Sequence, residues 1–280
     1  MEDTVRVQDE RVTALLDELR ALGSEAHRAA MLRFAIKVEN AFGVSVYALR
    51  KVAKRLGRDH ALALSLWATG NHEARLLACF VDDPEAVTEE QTEAWARDFD
   101  SWDICDQATT SLFDLSEHGW SKARAWATRD EEWVKRGGFA LMAGLAVHDR
   151  SAEDERFLEL LPLLEQAAFD ERHFVKKAVN WALRNIGKRN LALNAAALAC
   201  AFRLRQSAKN RPLVQGRADS GARSALWIAS DAIRELSSAK VQARLAARLD
   251  SRSSRKLTPN KTKASDASVE AFLDALSDAQ

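Results

Sequence analysis

The sequence is short of the residues that interrupt helices. Only 11 of its 280 residues are glycine and 4 are proline, where an average protein has roughly 7% and 5%. Turn-rich β architectures draw heavily on both residues, so their scarcity argues against them. No two-residue hairpin signal separates alternating strands anywhere. Cysteine is scarce too. Cys79, Cys105 and Cys200 are odd in number and far apart, which fits neither a disulfide framework nor a zinc motif. No apolar run approaches the roughly 18–20 residues of a membrane span. The start, MEDTVRVQDER, is charged where a signal peptide would be apolar. The expectation is a protein of the reducing cytosol, with no membrane partner, no metal and no cofactor. Glycine-rich phosphate loops, Gly-x-Ser-x-Gly elbows and dinucleotide fingerprints are also missing.

Net charge is absent as well, since 41 basic and 41 acidic residues cancel. The cancellation hides an asymmetry. Residues 1–150 hold 19 basic and 26 acidic side chains, a balance of −7, and residues 151–280 hold 22 and 15, a balance of +7. Between Arg172 and Lys263 there are 21 Lys or Arg and four acids, Asp219, Asp231, Glu235 and Asp250. A cationic surface of that density in a cytosolic protein points to nucleic acid. The plainer reading is a solvated basic face.

What is present is helical. Apolar residues make up 47% of the chain, enough for a core, and Ala, Leu, Arg and Glu dominate, all good helix formers. Val12, Leu15, Leu16, Leu19 and Leu22 mark a first apolar stripe, and Val46 opens another helix after the turn at Gly43. HALALSLWATGNHEARLLACFV reads as two helices broken at Gly70-Asn71, with Pro84 ending the pair. EEQTEAWARDFDSWDICDQATTSLF reads as a helix, a break near Asp100 and a second helix. WVKRGGFALMAGLAVHDR from Trp133 resembles FVKKAVNWALRNIGKRN from Phe174, at an offset of 41 residues. GARSALWIASDAIRELSS from Gly221 is a looser copy, and HEARLLACFVDD from His72 a looser earlier one. A period of about 40–47 residues with two or more helices per unit is the mark of a HEAT-like solenoid. The predicted fold is therefore all-α, a curved right-handed α-solenoid of HEAT-like repeats over residues 1–250. Residues 251–280, rich in Ser, Thr and Lys up to Lys263, are expected to form a flexible basic tail, with one short helix over Val269–Leu276. A basic position repeated in each unit would place a basic stripe inside the groove.

Three local features could carry chemistry. In Ser101-Trp102-Asp103-Ile104-Cys105-Asp106-Gln107, Trp102 and Asp106 are four apart and share a helix face. Asp103 is accounted for as a cap or dipole partner near the helix start. Asp106 lies a turn further in, and an aromatic surface with an anion suits a cation. Cys105 points to the other side and reads as a small core residue. The second feature is Trp133-Val134-Lys135-Arg136. The third runs from Phe174 to Arg184, where Lys177 and Arg184 share the face of Trp181, company unusual for a core Trp. Trp67, Trp95, Trp120, Trp126 and Trp227 are assigned mostly to inter-helix packing. His60, His72, His118, His148 and His173 show no metal-site spacing and are expected to cap helices or lie on the surface.

The segments SWDICDQ, WVKR and FVKKAVNWALRNIGKRN resemble the AlkD-type DNA alkylation repair proteins, the HEAT-like-repeat DNA glycosylases. The pattern of that family is roughly Trp-x-x-x-Asp, then Trp-x-Arg-Arg, then Phe-Ile-x-Lys-Ala-x-x-Trp-x-Leu-Arg. GVSVYALRKVAKRLG and LWATGNHEARLLA also look like its early helices, and the likeness covers about residues 30–245. The resemblance implies a monomeric DNA glycosylase that removes positively charged alkylpurines, 3-methyladenine and 7-methylguanine, from duplex DNA in the cytoplasm or at a nucleoid. It implies an active site of Trp102, Asp106, Arg136 and Trp181, with Arg184 on the DNA backbone. Lys135, Lys176, Lys177, Lys188, Arg189 and Arg223 join it as expected DNA-binding cations, Arg136 also facing phosphate. Lys135 replaces the first arginine of the family's basic pair, and Asn180 stands where the family usually has Gly. Tyr47 is the only tyrosine, so Phe34 would take the place of the family's early aromatic hydroxyl. Gly137 and Gly138 inside a helix cost about 1 kcal/mol each relative to Ala, and imply close approach of DNA or of another helix. Two other readings share the basic groove: a non-catalytic solenoid binding damaged or branched DNA, and a scaffold binding acidic proteins.

Overall fold

The computed structural model describes residues 2–212 and 219–255. Fifteen α-helices and no strand occur among the described residues: α1 (Glu2–Leu22), α2 (Glu25–Arg33), α3 (Val46–Leu56), α4 (His60–Ala68), α5 (His72–Val81), α6 (Glu89–Arg97), α7 (Trp102–Ser111), α8 (Gly119–Ala127), α9 (Glu132–His148), α10 (Asp154–Leu158), α11 (Leu161–Ala167), α12 (His173–Gly187), α13 (Leu191–Asn210), α14 (Ser220–Leu236) and α15 (Ala239–Arg255). Short polar residues start many of them. Ser45, Asp59, Asn71, Thr88, Asn190 and Asp219 each accept the backbone N–H three residues on, a cap worth about 1 kcal/mol. Gly70, at φ 68, makes the break between α4 and α5 in the left-handed region that suits glycine.

The helices form two layers. α5, α7, α9, α12 and α14 pack one against the next in a row, backed by a second layer in which α4 lies on α5, α8 on α9, α11 on α12 and α13 on α14. The inner row is parallel, since neighbours meet start to start and end to end. Asp103 on α7 meets His72 on α5, and Arg136 on α9 meets Phe174 on α12. At the other end Asn185 and Arg189 reach the carbonyls of Ala143 and Ala146. The four similar segments read from the sequence fall at the starts of α5, α9, α12 and α14. The Trp133 and Phe174 copies each begin at the second residue of their helix.

One apolar core runs the length of the stack, from Val12 to Leu236. Trp67 and Trp95 stack at 3.9 Å between centroids, and Trp126 is fully enclosed, as expected of packing tryptophans. Trp120 is half-buried against Phe157. Trp227 departs from that expectation, at 39% exposed. Gly137 and Gly138 admit a helix rather than DNA. A Cβ on Gly138 would lie 2.5 Å from the Ala127 backbone nitrogen, and one on Gly137 would touch the Trp126 ring at 3.3 Å. The gap lets α8 and α9 approach closely. α15 continues past residue 250, the expected end of the solenoid, to Arg255. The rest of that tail, with the helix expected at Val269–Leu276, lies outside the described residues.

Candidate active site

The site is built at the N-terminal ends of the inner row. Ser101, extended, precedes α7, but its hydroxyl does not cap the helix. It donates to Asp103 Oδ1 at 2.8 Å. Asp103, expected as a cap, is instead buried, with Oδ2 2.9 Å from His72 Nε2. His72 itself is 5% exposed and so is neither a cap nor a surface residue. Burial opposes its protonation, but the hydrogen bond and charge of Asp103 outweigh it and raise its pKa. The pair fixes the first turn of α7 on α5.

Trp102 is the first residue of α7. Its indole N–H donates to the Phe34 carbonyl at 2.8 Å, and its ring packs on a small apolar cluster of Met31, Ile36, Val38 and Ala41, apart from the main core. Phe34 is 65% exposed beside it. The next residue, Ala35, has φ 57, a left-handed conformation that costs a residue with a Cβ about 1–2 kcal/mol. Tyr47 is exposed on α3 under Lys51.

One turn along α7, Asp106 receives Arg136 in bidentate fashion. Nε donates to Oδ1 at 2.9 Å and Nη2 to Oδ2 at 2.7 Å. A third donor, Nη1, meets the Phe174 carbonyl at 2.7 Å. Arg136 therefore ties α7, α9 and α12 together. It is 6% exposed, and the reading that it grips a phosphate does not fit a guanidinium turned inward. Asp106 differs. Its side chain keeps 13% of its exposure, and each oxygen has accepted one hydrogen. An ionised carboxylate offers about four lone-pair positions, so two remain for a water or a cation. Burial pushes its pKa up, opposed by the charge and hydrogen bonds of Arg136. Cys105, fully buried with its thiol pushed up by desolvation, is the core residue expected.

Trp133 and Phe174 meet across α9 and α12 at 4.9 Å. Trp181 lies two turns beyond Phe174 on α12, half-buried against the main core. No hydrogen bond or ring contact among the described residues joins it to Trp102 or Asp106. The structure thus pairs Asp106 with Arg136, sets Trp102 one turn away, and leaves Trp181 across α9.

The expected cations divide. Lys177 is exposed with no partner among the described residues, and Lys176 lies 5.5 Å over the Trp227 ring. Nearby His173 has its pKa lowered by desolvation and by the charges of Lys177, Lys176 and Arg136, a sign of positive potential. Lys135 pairs with Asp170 at 3.2 Å. Arg184 binds Glu235 and lies 3.5 Å from Asp231, and Lys188 holds Glu235 at 2.9 Å. Arg189 lies over the Phe157 ring and donates to the Ala146 and Ala152 carbonyls. Arg223 sits in the first turn of α14. Asn180 is buried and donates to Asp231 at 2.7 Å. Sequence reasoning passed over Asp231 and Glu235. Their spacing of four on α14 matches Arg184 and Lys188 on α12, the signal that could have revealed the cross-helix pairs. Among the described residues no group of His, Cys, Asp and Glu has the form of a metal site, and no helix is long and apolar enough to cross a membrane.

A family model described as DNA alkylation repair enzyme matches residues 15–236. The fold is similar to a solved protein described as one of a new family related to the HEAT-like repeat DNA glycosylases, with affinity for branched DNA structures. The TM-score is 0.62 at 22% identity, over 68% of this chain and 81% of that one. No curated protein matches.

Proposed function

The chain belongs to the DNA alkylation repair enzyme family, and on that premise we propose that it hydrolyses the N-glycosidic bond of positively charged alkylpurines in duplex DNA. The observation that carries this reading is the Asp106 carboxylate, held on both oxygens by Arg136, still partly exposed and one helical turn from Trp102. A purine alkylated at N3 or N7 is already cationic and leaves without protonation by the protein. As the C1′–N bond breaks, its electron pair goes to the base, which departs neutral. Positive charge builds on the deoxyribose, a water oxygen bonds to C1′, and the water gives up a proton to solvent. A fixed carboxylate lowers the energy of that charge and aligns the water, the same opposition of anion and oxocarbenium ion used by glycosidases. Arg136 positions Asp106 and keeps it ionised. The face of Trp102 attracts the cationic nucleoside, an interaction worth about 0.5–2 kcal/mol, and Trp181 would serve the same strand from across α9. Lys176, Lys177 and Arg223 would hold phosphates with little regard to sequence. Action in the cytoplasm or at a nucleoid, as a monomer on alkylated duplex, completes the reading.

The test is release of free 3-methyladenine or 7-methylguanine from methylated DNA. Asp106→Asn should abolish release and leave DNA affinity equal or higher, since an anion is lost. Unchanged release would sink the role of Asp106. A second reading, DNA binding without excision, draws on the solved relative's affinity for branched DNA. Under it the native protein releases no base and prefers a junction to a linear duplex. If ionised Asp106 is required, release also falls on acidification, at a pH above the range of an ordinary aspartate, near 3.9, because burial raises its pKa.

A further inference from the structure

A cleft of about 880 Å³ lies away from Asp106. It opens where α9 and α12 end and α15 crosses them, and Arg150, Lys188, Arg189, Arg244 and Arg248 line it. Val147, on its α9 wall, is eleven residues beyond Arg136, a distance of about 16 Å along the helix. Two acids are in the lining, Glu153 and Asp154. Asp154 is engaged by the Asn190 amide at 2.8 and 2.9 Å.

Three of the five cations have local explanations. Arg248 donates to the Lys188 and Arg189 carbonyls, Arg189 to those of Ala146 and Ala152, and Lys188 pairs with Glu235. The two arginines satisfy backbone carbonyls at or beyond the ends of α9 and α12. These bonds also fix the three groups in place. Arg150 and Arg244 have no such role. Both are exposed, and among the described residues neither has a hydrogen bond or ion pair from its side chain. Arg150 stands just past α9, and Arg244 is one turn before Arg248 on the same face of α15. Two exposed guanidinium groups at the mouth of a cleft with a fixed cationic wall suit an extended polyanion, since a phosphate can accept two parallel N–H bonds from each arginine.

We propose that this cleft is a second binding site for DNA backbone phosphates, apart from the reacting site, with Arg150 and Arg244 as its free cations. The proposal rests on the reading that the chain binds DNA, and not on whether it cuts a glycosidic bond. A duplex seated at the starts of the inner helices would contact the cleft with its flanking backbone or with a second arm.

The experiment is the salt dependence of duplex and junction affinity for the full chain and for Arg150→Gln with Arg244→Gln. Each phosphate contact contributes about −0.9 to the slope of log affinity against log salt. The double variant should flatten the slope by about 2 on at least one substrate, with thermal stability unchanged. Arg97→Gln, an exposed cation in the acidic half, should leave the slope as it was. Base release at saturating protein should not change in the double variant. An unaltered slope on both substrates overturns the proposal, and so does an equal loss from Arg97→Gln. A loss of release at saturation would place the cleft in the reacting site and overturn its separateness. If the native protein releases no base, the glycosylase reading fails while the slope still decides the cleft.

Discussion

Removing Arg136 would not free Asp106; it would strand it. Among the described residues, the hydrogen bonds to the carboxylate oxygens both come from that one guanidinium. Breaking a buried pair from one side costs about 3–5 kcal/mol, mostly from the uncompensated charge. Arg136→Ala should lower the urea midpoint accordingly, and adding Asp106→Asn to it should recover much of the loss. A midpoint within experimental error of the native value would show that the pair does not hold the three helices. At this scale the sequence was partly legible. Trp102 and Asp106 are four apart on one helix, so their shared face could be read directly. The inward turn of Arg136 could not, because it depends on the carbonyl of Phe174, 38 residues away.

What aligns neighbouring helices is, beside the shared apolar core, a set of polar ties between them. His72–Asp103 is a tie whose strength depends on pH. Its histidine has a raised pKa in the folded protein. The stabilisation is therefore complete below the unfolded value, near 6.5, and fades as pH rises through the higher folded one. The difference in melting temperature between the native protein and Asp103→Asn should be largest at pH 5.5 and shrink by pH 8.5. A difference constant across that range would show the tie to be neutral. Element boundaries were legible wherever a cap or breaker marked them, as at Gly70-Asn71. The repeat was legible in α9 and α12, whose aromatic-Val-Lys starts are alike. It was hidden in α7, whose first turn is shaped by Ser101, Asp103 and a histidine one helix away.

Across the whole molecule, charge is divided before it is displayed. The basic half carries +7, yet its Arg184 and Lys188 are held by Glu235, with Asp231 beside Arg184, and its Asp170 neutralises Lys135 of the acidic half. A count of lysines and arginines therefore overstates the number that reach a ligand. Lys176 and Lys177 are among those that remain. Replacing both by Gln should weaken duplex binding alike for every sequence and flatten the salt slope by about 2. Loss confined to one sequence would point instead to base contacts. The inner row adds a contribution that no count of side chains includes. Its five helices all begin along one edge, and each backbone macrodipole presents about half a positive charge there. That edge would still attract a polyanion after every lysine on it had been acetylated.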